Sequence, residues 1–168
     1  MTTTKGITLV AEPGKYDLTM IREFDAPREL VFKAHVDATW LARWLSPGDY
    51  DMRIDKFDAR SGGAYRYIHI GPEGEEYAFH GTFHEVSDPV RIIQTFEFEG
   101  LPETGHVCLD SISFEILANN RTRVTTHSVF QSVDDRDGMI QSGMERGVND
   151  GYEKLDELLE RELAKSPV

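Results

Sequence analysis

The sequence predicts an α+β protein in which an antiparallel sheet of seven strands packs against a long C-terminal helix, with two short helices between the first two strands. Short segments with strand-like alternation, separated by turn sequences, occupy residues 50–130. Residues 134–163 form the only long segment whose apolar side chains recur every three or four residues, which is the helical period. A chain of 168 residues is long enough for one domain with a real core.

The start of the chain is predicted to hold a tail and one strand. Residues 1–15 end in Pro13-Gly14, so we expect a flexible N-terminal tail, with a single domain over residues 16–168. Residues 17–24 alternate apolar and polar side chains, which predicts the first strand.

Two short helices are predicted next. The first begins after Asp25-Ala26-Pro27, because proline suits the first helical turn, and its apolar stripe includes His35, expected to be a packed histidine. The second covers residues 38–45 and ends at Ser46-Pro47-Gly48. Trp44, near its end, is either a core residue or part of a lid over a cavity.

Six strands are predicted between the short helices and the final helix. They cover residues 50–58, 64–70, 77–86, 90–98, 107–117 and 121–130. Short turns join them, which indicates an antiparallel meander, and the strand at 17–24 brings the number to seven. Alternation predicts inward rows that include Tyr65, Tyr67, His69, Tyr77, Phe79, Val90, Phe96, Asp110, Ile112, Phe114, Ile116 and Thr126.

The final helix is predicted to be continuous from Asp134 to Leu163. Gly143, Gly147 and Gly151 lie four residues apart in it, and each costs about 1 kcal/mol relative to alanine. Either another backbone approaches the helix closely there, or the missing side chains leave space for a ligand. We expect a cavity at Gly147 and close packing at Gly151.

Composition excludes several classes of partner. A net charge of −12 and a pI near 4.9 oppose binding to nucleic acids and to anionic lipid surfaces. The single cysteine, Cys108, cannot form an internal disulfide, and the sequence has no apolar run long enough to cross a bilayer. We therefore expect a cytoplasmic protein.

The sequence contains no recognisable catalytic or metal-binding motif. His80 and His84 share a strand face but lie about 13 Å apart, too far to share a metal. No nucleophile, phosphate-binding or C-x-x-C pattern is present. We predict no metal and no cofactor, and the features favour a protein that is not an enzyme. Asp110 either pairs with a neighbour or lies in a cavity with a raised pKa.

Several segments resemble the bacterial activator-of-heat-shock-protein-90-ATPase homologue family. These are Asp25–Phe32, Leu41–Trp44 with Pro47-Gly48, Phe57–Gly63, Gly71–Gly74, Gly81–Val86 with Pro89, and the glycine-bearing final helix. The family is part of the START-like (SRPBCC) superfamily, whose helix-grip fold is shared with the Bet v allergens. The resemblance implies a curved sheet wrapped around the long helix, with a cavity between them that often takes apolar small molecules.

Three functions follow from these observations. The leading one is binding of an apolar or aromatic small molecule. The second is a polyketide cyclase or dehydratase that uses Asp110 or His69. The third is a co-chaperone that stimulates a chaperone's ATPase, which the family name suggests. The predicted ligand-binding residues are Trp44, Tyr65, Tyr67, His69, Phe79, Phe96, Asp110, Ile112, Phe114, Thr126, Met144, Gly147 and Val148.

Overall fold

A computed structural model describes residues 6–165 of the chain. Its strands are β1 (Thr8–Val10), β2 (Asp17–Phe24), β3 (Asp51–Phe57), β4 (Ala64–Ile70), β5 (Glu76–Ser87), β6 (Arg91–Phe98), β7 (Val107–Leu117) and β8 (Arg121–Val129). Its helices are α1 (Arg28–Val36), α2 (Ala38–Leu41), α3 (Val133–Gln141) and α4 (Met144–Lys165). The predicted α+β class is confirmed.

All eight strands form one antiparallel sheet in the order β1-β2-β8-β7-β6-β5-β4-β3. The six strands of the predicted meander lie side by side, and β2 pairs with β8 at the far side of the meander. This pairing brings the first and last parts of the domain together. It also gives the sheet a continuous inner face from β2 to β5, against which α1 and α4 pack.

The prediction of seven strands is wrong by one strand. The additional strand, β1, lies within the predicted N-terminal tail and pairs with β2 through Thr8↔Ile21, Leu9↔Met20 and Val10↔Thr19. Three residues are too few to show a period of two, so alternation could not reveal the strand. Residues 1–5 of the predicted tail lie outside the described residues.

The prediction of one continuous final helix is also wrong, because the structure divides this stretch into two helices at Gly143. The φ angle of Gly143 is +88°, in the left-handed region that glycine adopts without steric cost. The Ser142 N–H donates to the carbonyls of Gly138 and Met139, which ends α3 in the manner of a glycine-terminated helix. The hydroxyl of Ser132 caps the start of α3 by accepting from the Asp135 N–H at 3.0 Å.

Helix α4 supplies the apolar face that the periodicity predicts. Its buried residues are Gly151, Tyr152, Leu155, Leu158 and Leu159. They pack with α1 and the sheet in a single large core. The second short helix is shorter than predicted, since α2 ends at Leu41 and turns continue the chain to residue 46.

The predicted inward rows hold at the centre of the sheet and fail near its ends. Tyr65, Tyr67 and Phe114 are buried as expected, whereas Val90 and Ile116 are exposed. Val90 precedes β6, and Ile116 is next to the end of β7. The helices do not cover the ends of the strands, so alternation there no longer implies burial.

Candidate functional site

A cavity of about 790 Å³ lies between the inner face of the sheet and the helices. Strands β2 and β4–β8 form one wall, and the opposite wall is formed by α1, the loop that precedes β3, the α3–α4 junction and the first half of α4. Its volume is in the range of sites for drug-sized ligands.

All of the predicted site residues except Tyr65 and Phe114 line this cavity. Tyr65 is 3% exposed, and its hydroxyl donates to the Thr95 carbonyl at 2.5 Å. Phe114 is 1% exposed and lies edge-to-face with Phe32 at 5.0 Å, under α1. Both side chains point inward as predicted, but they belong to the core.

Aromatic rings form one side of the cavity. Tyr67 lies 5.6 Å from Phe79, and Phe79 lies 5.3 Å from Phe96, measured between ring centroids. The Tyr67 ring also stacks on His69 at 5.3 Å. These rings come from β4, β5 and β6, so strand pairing fixes their spacing. A flat apolar molecule could stack against them.

A row of three polar side chains crosses the apolar wall. Gln94, Asp110 and Ser128 are directly paired on the neighbouring strands β6, β7 and β8. The Asp110 carboxylate accepts from the Ser128 hydroxyl at 2.6 Å and from the Cys108 thiol at 3.6 Å. Burial raises the pKa of Asp110, and the hydrogen bonds from Ser128, Cys108 and Gln94 oppose that rise. Both alternatives predicted for Asp110 therefore apply: its carboxylate is hydrogen-bonded to neighbouring side chains, and it lines a cavity where its pKa is raised.

His35 also lines the cavity, which the sequence did not predict. Its Nδ1 lies 2.8 Å from the Val31 carbonyl, so the packed position expected for it is present. The ring lies edge-to-face against Trp44 at 4.9 Å and Phe114 at 5.0 Å. Burial lowers the pKa of His35 to about 4, and the neutral ring is the form present at pH 7.

Trp44 has both of the roles that the sequence left open. It is almost fully buried, its indole N–H donates to the Ala34 carbonyl at 2.9 Å, and it contributes to the cavity wall. Its ring stacks on Tyr152 of α4 at 5.8 Å. Trp44 thereby fixes α1, the turn after α2, and α4 relative to one another.

His69 lies on the cavity wall beside the aromatic rings. Its Nε2 is buried and has no hydrogen-bond partner among residues 6–165. Burial, together with the smaller effect of the neighbouring positive charge of Lys154, lowers the pKa of His69 to about 4. The unpaired nitrogen is available to a ligand, since a buried polar atom without a partner is energetically costly.

The two glycines of α4 differ as the sequence predicts. A Cβ atom at Gly147, which lines the cavity, would lie 3.5 Å from Pro47 Cβ, an ordinary contact. A Cβ atom at Gly151 would lie 2.9 Å from the Trp44 carbonyl oxygen. Gly151 therefore permits close approach of the turn after α2, while Gly147 leaves space at the cavity wall.

The rim of the cavity carries charges and two stacked tyrosines. Asp49, Arg146 and Asp150 lie there, and the rings of Tyr50 and Tyr77 stack at 6.1 Å. Tyr77, predicted as an inward residue, is partly exposed at this rim. These loop residues could not be assigned to the site from the sequence, because the path of a loop across the opening leaves no periodic pattern of side chains.

Two further properties concern the described part of the chain. Within residues 6–165, no three His, Cys, Asp or Glu side chains are grouped so that they could hold a metal ion. Within the same range, no helix is long and apolar enough to cross a membrane. The absence of metals and cofactors, and the cytoplasmic location, stay predictions.

A single curved antiparallel sheet around a long C-terminal helix, with a cavity between them, defines a START-like protein of the helix-grip type. A model of the family described as Activator of Hsp90 ATPase homolog 1-like protein matches residues 25–160, and the chain belongs to this family. The resemblance identified in the sequence is thus confirmed. No curated protein sequence matches the chain.

Solved structures of bacterial proteins share the fold. A crystal structure from Mycobacterium smegmatis has a TM-score of 0.82 at 22% identity and covers 93% of this chain and 99% of its own. A solution structure from Arthrobacter aurescens has a TM-score of 0.82 at 24% identity, covering 92% and 91%. A crystal structure from Rhodobacter sphaeroides has a TM-score of 0.81 at 23% identity, covering 91% and 98%. At these identities the likeness concerns the fold alone.

Proposed function

We propose that the protein binds an apolar or aromatic small molecule in the cavity between the sheet and α4. The observation that carries this proposal is a cavity of about 790 Å³ with a mostly apolar and aromatic lining and a few convergent polar groups. Such a combination is typical of small-molecule sites. Membership of a START-like family, whose members typically bind hydrophobic ligands, supports the same function.

Native mass spectrometry of protein purified from its own host tests the proposal directly. A ligand retained at one copy per chain is the expected result. Incubation with a linear polyketone addresses the cyclase or dehydratase alternative, in which Asp110 or His69 would transfer a proton. A binding protein returns the polyketone unchanged, a dehydratase returns a product lighter by one water, and a cyclase returns an isomer of equal mass that chromatography separates.

A variant that fills the cavity locates the site. Val148 lines the cavity wall on α4, and Val148→Trp would occupy part of the ligand volume. Val129, at the exposed end of β8, provides the matched control Val129→Trp. We expect Val148→Trp to weaken binding of an environment-sensitive apolar dye about tenfold or more, and Val129→Trp to leave it unchanged. Equal dye binding by wild type and Val148→Trp, with both folded, would contradict the proposal.

A further inference from the structure

We propose that the cavity selects a neutral aromatic ligand that carries a hydroxyl group, and that it discriminates against the same ring system carrying a carboxylate. This inference rests on the proposed function and narrows it to a chemical class. It follows from the hydrogen-bonding capacity of Asp110 and His35, and from the distribution of charges around the cavity.

Asp110 provides the first hydrogen-bonding position. The Ser128 hydroxyl and the Cys108 thiol both donate to Oδ1 of Asp110, and a carboxylate has room for further donors. An ionised Asp110 accepts a hydrogen bond from a ligand hydroxyl, and a protonated Asp110 can donate one to the same group. A ligand carboxylate, in contrast, repels the ionised form and can be satisfied only by the protonated form.

His35 provides the second position, and its role is fixed by its own helix. The Val31 carbonyl can only accept, so the contact of 2.8 Å requires the proton of the neutral ring to be on Nδ1. Nε2 is then an acceptor without a proton. A hydroxyl group can donate to such a nitrogen, whereas a carboxylate and a methyl ether cannot.

The cavity has no internal cation to compensate a ligand carboxylate. Among the described residues that line it, Arg146 is the only lysine or arginine, and its side chain is exposed at the rim together with Asp49 and Asp150. The histidines His35 and His69 are neutral at pH 7. A carboxylate moved into this cavity would lose its hydration without gaining an ion pair.

Two further cations close to residues of the cavity wall, the half-buried Lys154 and the buried Arg22, already have protein partners. Lys154 donates to the Ser46 carbonyl at 2.8 Å and is not part of the cavity wall. Arg22 forms two hydrogen bonds with Asp156, at 3.1 and 2.6 Å. The chain's net charge of −12 further disfavours entry of an anion.

Three fluorescent probes with one ring system test the inference on the wild-type chain. At pH 7, 1-hydroxypyrene is neutral and can donate a hydrogen bond, 1-methoxypyrene is neutral and cannot, and 1-pyrenecarboxylate is anionic. We expect 1-hydroxypyrene to bind about tenfold more tightly than either of the other two. Equal or tighter binding of 1-pyrenecarboxylate would overturn the inference.

The outcomes separate this inference from the proposed function. Binding of all three probes with equal affinity would leave the apolar site in place and refute the selection for a hydroxyl group. Binding of none of the three would count against both proposals.

Two variants assign the selectivity to residues. We expect Asp110→Asn to reduce the discrimination against 1-pyrenecarboxylate, since it removes the carboxylate that would repel the carboxylate of the probe. We expect His35→Phe to reduce the preference for 1-hydroxypyrene over 1-methoxypyrene, since phenylalanine keeps the ring contacts with Trp44 and lacks the acceptor. Glu157→Gln makes the same change in charge on the exposed side of α4, outside the cavity lining, and is the control that should leave both ratios unchanged. Selectivity that is unchanged in folded Asp110→Asn and His35→Phe would contradict the assignment.

Discussion

At the scale of single residues, the cavity wall contains ionisable groups held in their neutral forms by burial. His35 and His69 both have a pKa of about 4, below the ordinary 6.5 of histidine. In each case the largest cause is the loss of hydration around the protonated ring. The site therefore offers uncharged ring nitrogens as hydrogen-bonding groups. Protonation of either ring lowers the unfolding free energy of the protein.

Acidification should destabilise the protein through His35. The unfolded residue binds a proton as the pH falls below 6.5, whereas the folded one does so only near pH 4. The stabilising contribution is thus complete above pH 6.5 and is lost as the pH falls towards 4. Between pH 7 and pH 5 we expect the wild type to lose about 2 kcal/mol more unfolding free energy than His35→Phe, measured by urea denaturation.

His84, an exposed histidine on β5, offers the control for this experiment. The variant His84→Gln should follow the wild-type dependence on pH. If His35→Phe also lost as much stability as the wild type between pH 7 and pH 5, the buried neutral histidine would not be the cause.

Whether a side chain points inward could be predicted from the sequence where it depends only on the two-residue period of one strand. Alternation identified Tyr67, Phe79 and Asp110 as inward residues, and all three line the cavity. It could not show that Asp110 would meet Ser128, because the register between β7 and β8 depends on the hairpin that joins them. Nor could the apolar stripe of α1 show that His35 lies at the end of the stripe nearest the cavity.

At the scale of elements, glycine determines where the helical layer bends and where it is close-packed. Gly143, with its positive φ, separates α3 from α4, and the junction lines the cavity. A pattern of apolar residues alone runs through this break, since Ile140 and Met144 keep the helical spacing across it. The sequence could therefore predict which stretch of the chain is helical, but not that this stretch forms two separate helices.

Gly147 and Gly151 form a matched pair for testing the packing of α4. At Gly147 a methyl group meets only an ordinary contact, so Gly147→Ala should stabilise the protein by about 0.5–1 kcal/mol through its higher helix propensity. At Gly151 the methyl group would press on the Trp44 carbonyl, so Gly151→Ala should destabilise it by about 1–3 kcal/mol. Thermal unfolding of both variants measures the difference, and a stabilising Gly151→Ala would refute the close approach.

At the scale of the whole molecule, the N-terminal segment joins the sheet to the helical layer. The Ile7 N–H donates to the side-chain oxygen of Asn149 on α4 at 2.9 Å. Leu9 and Ala11 pack against the same buried apolar cluster as Met139 and Ile140 of α3. These contacts explain why a segment without any periodic signal is ordered, since tertiary partners far along the chain hold it in place.

Arg136 is the centre of this connection, and its removal should affect the whole domain. The guanidinium, on a side chain only 3% exposed, donates to the Glu12 carbonyl at 2.7 Å and the Asp17 carbonyl at 3.0 Å. Arg136→Met keeps much of the apolar stem but leaves two backbone oxygens without these donors, so we expect a loss of about 2–4 kcal/mol of unfolding free energy. Arg161→Met, on a side chain 63% exposed, is the control and should change stability by less than about 0.5 kcal/mol. Denaturant unfolding compares them, and hydrogen exchange at β1 should rise in Arg136→Met alone. Equal stability of the two variants would show that the N-terminal segment is held by its strand pairing with β2 and its apolar contacts, without a contribution from the buried arginine.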